Sequence, residues 1–104
     1  MAKRDVRPRV DAYEQVFSAL AHAARRRVLL TLFFNGGSMS AGEIAGIFEH
    51  AWQTTTRHLR VLEKAGLISH EKQGRTWMYR LERKRLDLVT DWLKHFSKDA
   101  KEKL

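Results

Sequence analysis

The hydrophobic period of this 104-residue chain changes at Gly66. Before it, apolar side chains recur at helical spacing. Tyr13, Val16, Phe17 and Leu20 share one face, and Val28, Leu29, Leu32 and Phe33 share another. After it, 67–71 and 76–81 read as two strands, with Lys72-Gln73-Gly74-Arg75 as the hairpin turn between them. Helical spacing then returns at Leu86, Val89, Leu93 and Phe96. One hairpin embedded among helices predicts a mainly α domain with a small β element.

The local stop and start signals divide the helical part further. Asp11 with Glu14 is a capping-box pattern, so a first helix is expected over about 11–21. A second should run over about 23–34 and end at Asn35-Gly36-Gly37, residues that accept the left-handed conformation beyond a helix end. Ser40-Ala41-Gly42-Glu43 is a sharper capping box, with Met39 and Ile44 at the staple positions. It opens a short helix, about 40–48. Glu49-His50-Ala51 makes a tight turn, and a longer helix follows over 52–64, stopped by Ala65-Gly66. The last helix should cover about 83–97. A short helix, a tight turn, a longer helix and a basic hairpin together make a winged helix-turn-helix.

Length allows one domain. Residues 1–9 read as a disordered basic arm, 10–97 as the folded domain and 98–104 as a charged tail. The chain has no cysteine, which excludes disulfides, thiolate metal sites and a thiol nucleophile. No apolar run approaches the ~18 residues of a membrane span, and the N-terminus lacks the apolar stretch of a secretory signal. A cytoplasmic protein with no membrane partner is expected. Lys and Arg total 20 against 12 Asp and Glu, a net charge of +8 that favours an anionic partner.

The helix 52–64 carries the functional expectation. Thr55, Leu59 and Leu62 fall on one face, which should meet the core. Gln53, Arg57 and Arg60 fall opposite, with Thr54 beside them and Thr56 and His58 flanking. Arg pairs bidentately with guanine and Gln with adenine, and a threonine methyl meets the thymine methyl, so this face suits the major groove of double-stranded DNA. Lys72 and Arg75 at the hairpin tip suit the minor groove or the phosphates. Arg25-Arg26-Arg27 opens the second helix, where its dipole disfavours cations, so at least one should have a structural partner. Tyr13, Phe17, Val89, Trp92, Leu93 and Phe96 give the first and last helices a large apolar surface, a candidate interface between two copies.

Three stretches resemble the ArsR/SmtB family of bacterial repressors: Phe17 to Leu29, Thr56 to Ile68, and the hairpin Gly74 to Leu81. The resemblance spans about 11–96. It implies a homodimer joined through the first and last helices, a palindromic operator and repression of transcription. It carries recognition roles onto Gln53, Thr54, Thr56, Arg57 and His58.

Departures bear on metal sensing. The stretch matching the family's thiol site is Glu43 to Phe48 and holds no cysteine. The family's second site would fall near Asp87-Leu88-Val89, which lacks its histidine, and His95 is followed three residues on by Lys98. Asp91 and His95 are read as a solvated charge pair, and no metal or other cofactor is expected. The family's capping serine before the recognition helix is Ala51 here, and Thr55, often valine, has a hydroxyl able to bond back to the carbonyl of residue 51. No enzyme constellation is present. The alternative function is a winged-helix module for a protein or RNA partner.

Overall fold

The computed structural model describes residues 3–48 and 51–97, with side chains from Asp11 onward. Its elements run α1 (Lys3–Leu20), α2 (Ala23–Phe34), β1 (Ser38–Ser40), α3 (Ala41–Ile47), α4 (Trp52–Lys64), β2 (Ile68–Gln73) and β3 (Thr76–Leu81). A 3-10 turn (Arg83–Leu86) leads into α5 (Asp87–Lys94). The mainly α winged arrangement is the expected one.

The sheet is antiparallel in the order β1-β3-β2. Met39 pairs with Tyr79 on one side of β3, and His70 pairs with the same residue on the other. The short strand β1 is an addition to the expected hairpin. It offers a single apolar residue, Met39, and so carries no readable alternation. The hairpin is also tighter than expected. Strand β2 continues to Gln73, leaving Gly74-Arg75 as a two-residue loop. Gly74 has φ +63° and Arg75 has no positive φ, the pattern of a type II′ turn.

Both glycine stops form as expected. At the end of α2, the Gly37 amide donates to Leu32 O and the Gly36 amide to Phe33 O. At the end of α4, Leu67 donates to Leu62 O and Gly66 to Glu63 O. Each pair is a Schellman motif, closed by a residue with positive φ. The capping box of α3 is complete, with Ser40 Oγ accepting from the Glu43 amide and Glu43 accepting from the Ser40 amide.

Two boundaries differ from expectation. Helix α1 begins at Lys3, not near Asp11, so the segment read as a disordered arm is helical from Lys3. Asp11 therefore lies inside the helix and is not its cap. A capping pattern permits a helix to start but does not stop one that is already propagating from upstream. The single expected helix over 83–97 is split. A 3-10 turn precedes α5, and after Lys94 the bonds tighten to the i→i+3 type, His95 to Trp92, Phe96 to Leu93 and Ser97 to Lys94. The turn Glu49-His50 and the tail 98–104 lie outside the described residues.

The core gathers Val16 and Ala19 from α1, Val28, Leu29 and Leu32 from α2, Ile44 from α3, and Leu59 and Leu62 from α4. Met39, Leu67, Ile68 and Leu81 close it from the sheet side. Phe33, expected inside, is exposed, and the Arg83 guanidinium lies 5.2 Å from its ring centroid. Val28, Leu29 and Leu32 already fill the inner face of α2.

Candidate nucleic-acid interface

Helix α4 has the predicted limits and two unlike faces. Thr55, Leu59 and Leu62 are buried, while Gln53, Arg57 and Arg60 are exposed and Thr54 is half-buried. Trp52, Gln53, Thr56, Arg57 and Arg60 line one open concavity on the outer face. Among the described residues, no ion pair engages Arg57, Arg60 or Arg75. Three guanidinium groups, each with five donors and no acceptor, thus stand ready for phosphate or base acceptors.

His58 does not belong to that face. It is buried, and its ring lies 4.5 Å from that of His22. Nη1 of Arg25 is 3.5 Å from His58 Nδ1. The correction follows from helix geometry. Position 58 is three residues after Thr55 and four before Leu62, so it shares their inner side. Thr56 sits at the border, with its Oγ1 buried and unbonded within the described residues. Thr55 Oγ1 is likewise buried and without a partner, so the expected bond back to the Ala51 carbonyl is not made. Ala51 gives α4 no side-chain cap.

The arginine run at the start of α2 is structural. Arg25 donates from Nε to Ala19 O at 2.8 Å and from Nη2 to Ser18 O at 3.1 Å. Arg26 donates to Leu20 O at 2.7 Å. These are carbonyls of the last turn of α1, at its negative dipole end, and Ser18 O also accepts from the Ala21 amide at 3.3 Å. Arg27 stacks on Phe48, 5.3 Å from its centroid. His22 adds the N-cap of α2, its Nδ1 accepting from the Ala24 amide.

On the wing, Lys72 and Arg75 are exposed beside Gly74. Lys72 Nζ lies 5.6 Å from the Trp77 ring centroid, and His70 packs edge-on against Trp77. The wing base is tied to α4 through His70 Nδ1 and Glu63, 2.5 Å apart, and braced across the strands by Arg80 and Glu71 at 2.9 Å. The Tyr79 hydroxyl has a raised pKa, through burial first and the Glu63 carboxylate second, with Arg60 opposing. The two halves of the basic surface are thereby held in fixed relation.

On the other side of the fold, Phe17 meets Trp92 edge-on at 5.2 Å, and Trp92 lies 4.9 Å from Phe96. Trp92, Leu93 and Phe96 are nevertheless 43%, 54% and 66% exposed. Tyr13, Phe17 and Val89 are half-buried. Asp91 and His95 do not pair with each other. Asp91 Oδ1 faces Lys94 at 3.5 Å, and His95 Nδ1 lies 3.1 Å from Trp92 O. No group of three or more metal-ligating side chains occurs among the described residues. No described helix is long and apolar enough to cross a membrane.

Sequence reasoning passed over Trp52, which it used only to mark a helix start. Its side chain is 46% exposed at the N-terminal end of α4. An aromatic residue at a helix boundary gives no directional signal until the helix phase and its packing are known.

Comparison with known proteins agrees with this geometry. A family model described as a helix-turn-helix domain matches residues 20–71. The transcriptional repressor SdpR of Bacillus subtilis (strain 168) is 33% identical over 81 residues, covering 78% of this chain and 88% of SdpR. The crystal structure of an ArsR family transcriptional regulator, RHA00566, superposes with a TM-score of 0.74 at 32% identity, over 82% of this chain and 86% of that one. An ArsR-like transcriptional regulator from Rhodococcus sp. RHA1 shares the fold, with a TM-score of 0.75 at 24% identity over 92% and 89% of the two chains. By sequence and fold together, the chain belongs to the ArsR-type winged helix-turn-helix transcriptional regulators.

Proposed function

We propose that the protein is a homodimeric repressor acting in the cytoplasm on a palindromic operator. Helix α4 enters the major groove, and the Gly74-Arg75 wing lies on the adjacent minor groove or its phosphates. The observation that carries this reading is the set of arginines that form no ion pair among the described residues, Arg57 and Arg60 on α4 and Arg75 on the wing, on a protein of net charge +8. Gln53, Thr54 and Thr56 supply further polar contacts beside Arg57, and Lys72 stands beside Arg75. The repressor role follows SdpR, which is itself a transcriptional repressor.

Dimerisation is argued from the apolar surface. Trp92, Leu93 and Phe96 remain exposed on α5 beside Phe17 of α1, and a second copy would remove them from water. Two-fold symmetry would then set the two α4 helices about 34 Å apart, one turn of DNA.

A salt-titrated binding assay tests the reading. The full chain is offered its own promoter region against random duplex, with zinc or chelator in parallel arms, and its mass is measured by light scattering. Selective binding that falls steeply with log salt, from a particle of twice the chain mass, is the expected result. Weak binding equal on all duplexes, or salt-insensitive capture of a protein partner, would favour the interaction-module alternative. Release by zinc would give Asp91 and His95 a ligand role.

A further inference from the structure

Trp52 begins α4, and its indole is exposed on a face otherwise built of Gln53, Thr56, Arg57 and Arg60. Residues 52, 56 and 60 recur at intervals of four, so Trp52, Thr56 and Arg60 form one row along the outer surface. The large ring at the head of this row, whose other members are polar, is half in water. Its chemistry fits one kind of contact in a major groove. Among the major-groove groups that tell one base pair from another, hydrogen-bond donors and acceptors predominate, and the C5 methyl of thymine is the bulky apolar one. The residues that reach base edges are those at the N-terminal end of a recognition helix, where Trp52 stands.

We infer that Trp52 reads a thymine in each operator half-site by packing its indole on the C5 methyl. This adds an apolar determinant to the polar readout of Gln53 and Arg57, and it rests on the placement of α4 in the major groove proposed above. A sequence-independent alternative is packing of the indole on a deoxyribose, which would be indifferent to the methyl.

The test uses the full chain and duplexes selected from a random-sequence pool. Each thymine of the selected duplex is replaced in turn by deoxyuridine, which removes only the methyl. For the unmodified protein, one symmetry-related thymine should lose about fourfold in affinity per half-site, the worth of one buried methyl. In Trp52→Ala that loss should vanish, while thymines elsewhere keep their effect. Trp52→Gln, with a polar side chain of good helix propensity, is the second variant, and circular dichroism verifies that each variant is folded. Arg57→Ala should retain the thymine effect. A selected duplex on which no deoxyuridine penalty depends on Trp52 overturns this inference and leaves the groove placement standing. Failure to select any duplex overturns the groove placement and this inference with it.

Discussion

Nη1 of Arg25 lies 3.5 Å from Nδ1 of His58, so a residue at the start of α2 touches the middle of α4. The same guanidinium holds Ala19 O and Ser18 O at the end of α1. One side chain therefore ties three helices, and because Arg has no acceptor, Nδ1 of His58 is the accepting atom in this contact. Arg25→Lys keeps the charge but loses the fork that reaches both carbonyls and the ring. The expected outcome is a loss of about 1–2 kcal/mol in urea unfolding, on the scale of one or two charge-assisted bonds. DNA affinity measured well below the midpoint should change little. A large loss of affinity with stability intact would mean that Arg25 touches DNA.

Ala51 leaves the first amides of α4 without a side-chain acceptor. Ala51→Ser should supply one to the amide of residue 53 or 54 and raise stability by ~0.5–1 kcal/mol. The melting temperature of the variant checks this. An unchanged value would show that the cap position is satisfied in another way.

The Thr55 hydroxyl is buried at 2% exposure with no hydrogen-bond partner among the described residues. Thr55→Val replaces the hydroxyl by a methyl of nearly the same volume and removes an unsatisfied polar group from the core. A gain of about 1 kcal/mol is expected, within the cost of leaving such a group unpaired. Destabilisation in the same melt would indicate a water or solvent path to Oγ1.

The sequence makes some of this legible and hides the rest for physical reasons. The start of α3 at Ser40 and the stops at Gly36 and Gly66 are readable because capping and left-handed positions are local chemistry. The burial of His58 is not readable from its polarity. The spacing of His58 from Thr55 and Leu62 puts it on the inner side of α4, whereas the contacts of His22 and Arg25 with the ring are a tertiary fact. The roles of Arg25 and Arg26 are half readable. The dipole argument says that cations at a helix start need partners, but only the fold shows that the partners are the C-terminal carbonyls of α1. Strand β1 is hidden because pairing with β3, not local periodicity, defines it. The early start of α1 was masked by a capping pattern at Asp11 that a longer helix overrides.

Glu43 gives a pH dependence with a definite sign. Its carboxyl pKa lies below the ordinary value, through the hydrogen bond from the Ser40 backbone first and the Ser40 side chain second, with desolvation opposing weakly. A folded pKa below the unfolded one means that the cap contributes fully above the usual glutamate range. The contribution drains as pH falls through the folded pKa. Glu43→Gln retains an acceptor at the same place but does not titrate there. The variant should therefore show a shallower loss of melting temperature between neutral pH and about pH 3. Parallel acid limbs for the two proteins would remove Glu43 from the acid response.

Arg57 and Arg75 occupy different parts of the basic surface and should fail differently. Arg57 is exposed on the outer face of α4, one turn after Gln53, the position from which the proposed major-groove placement would bring a guanidinium to a base edge. Arg57→Ala should cost about 1–3 kcal/mol on a selected duplex and relax the preference at one base position. Arg75 is at the tip of a two-residue loop beside Gly74, suited to phosphate or the minor-groove wall. Arg75→Ala should weaken selected and random duplexes by similar factors and reduce the salt slope by about one counterion. Fluorescence anisotropy across a salt series on both duplexes separates the two effects. An unchanged affinity for Arg57→Ala would place the reading face elsewhere on α4, and an altered base preference for Arg75→Ala would make the wing a reader of groove shape or bases.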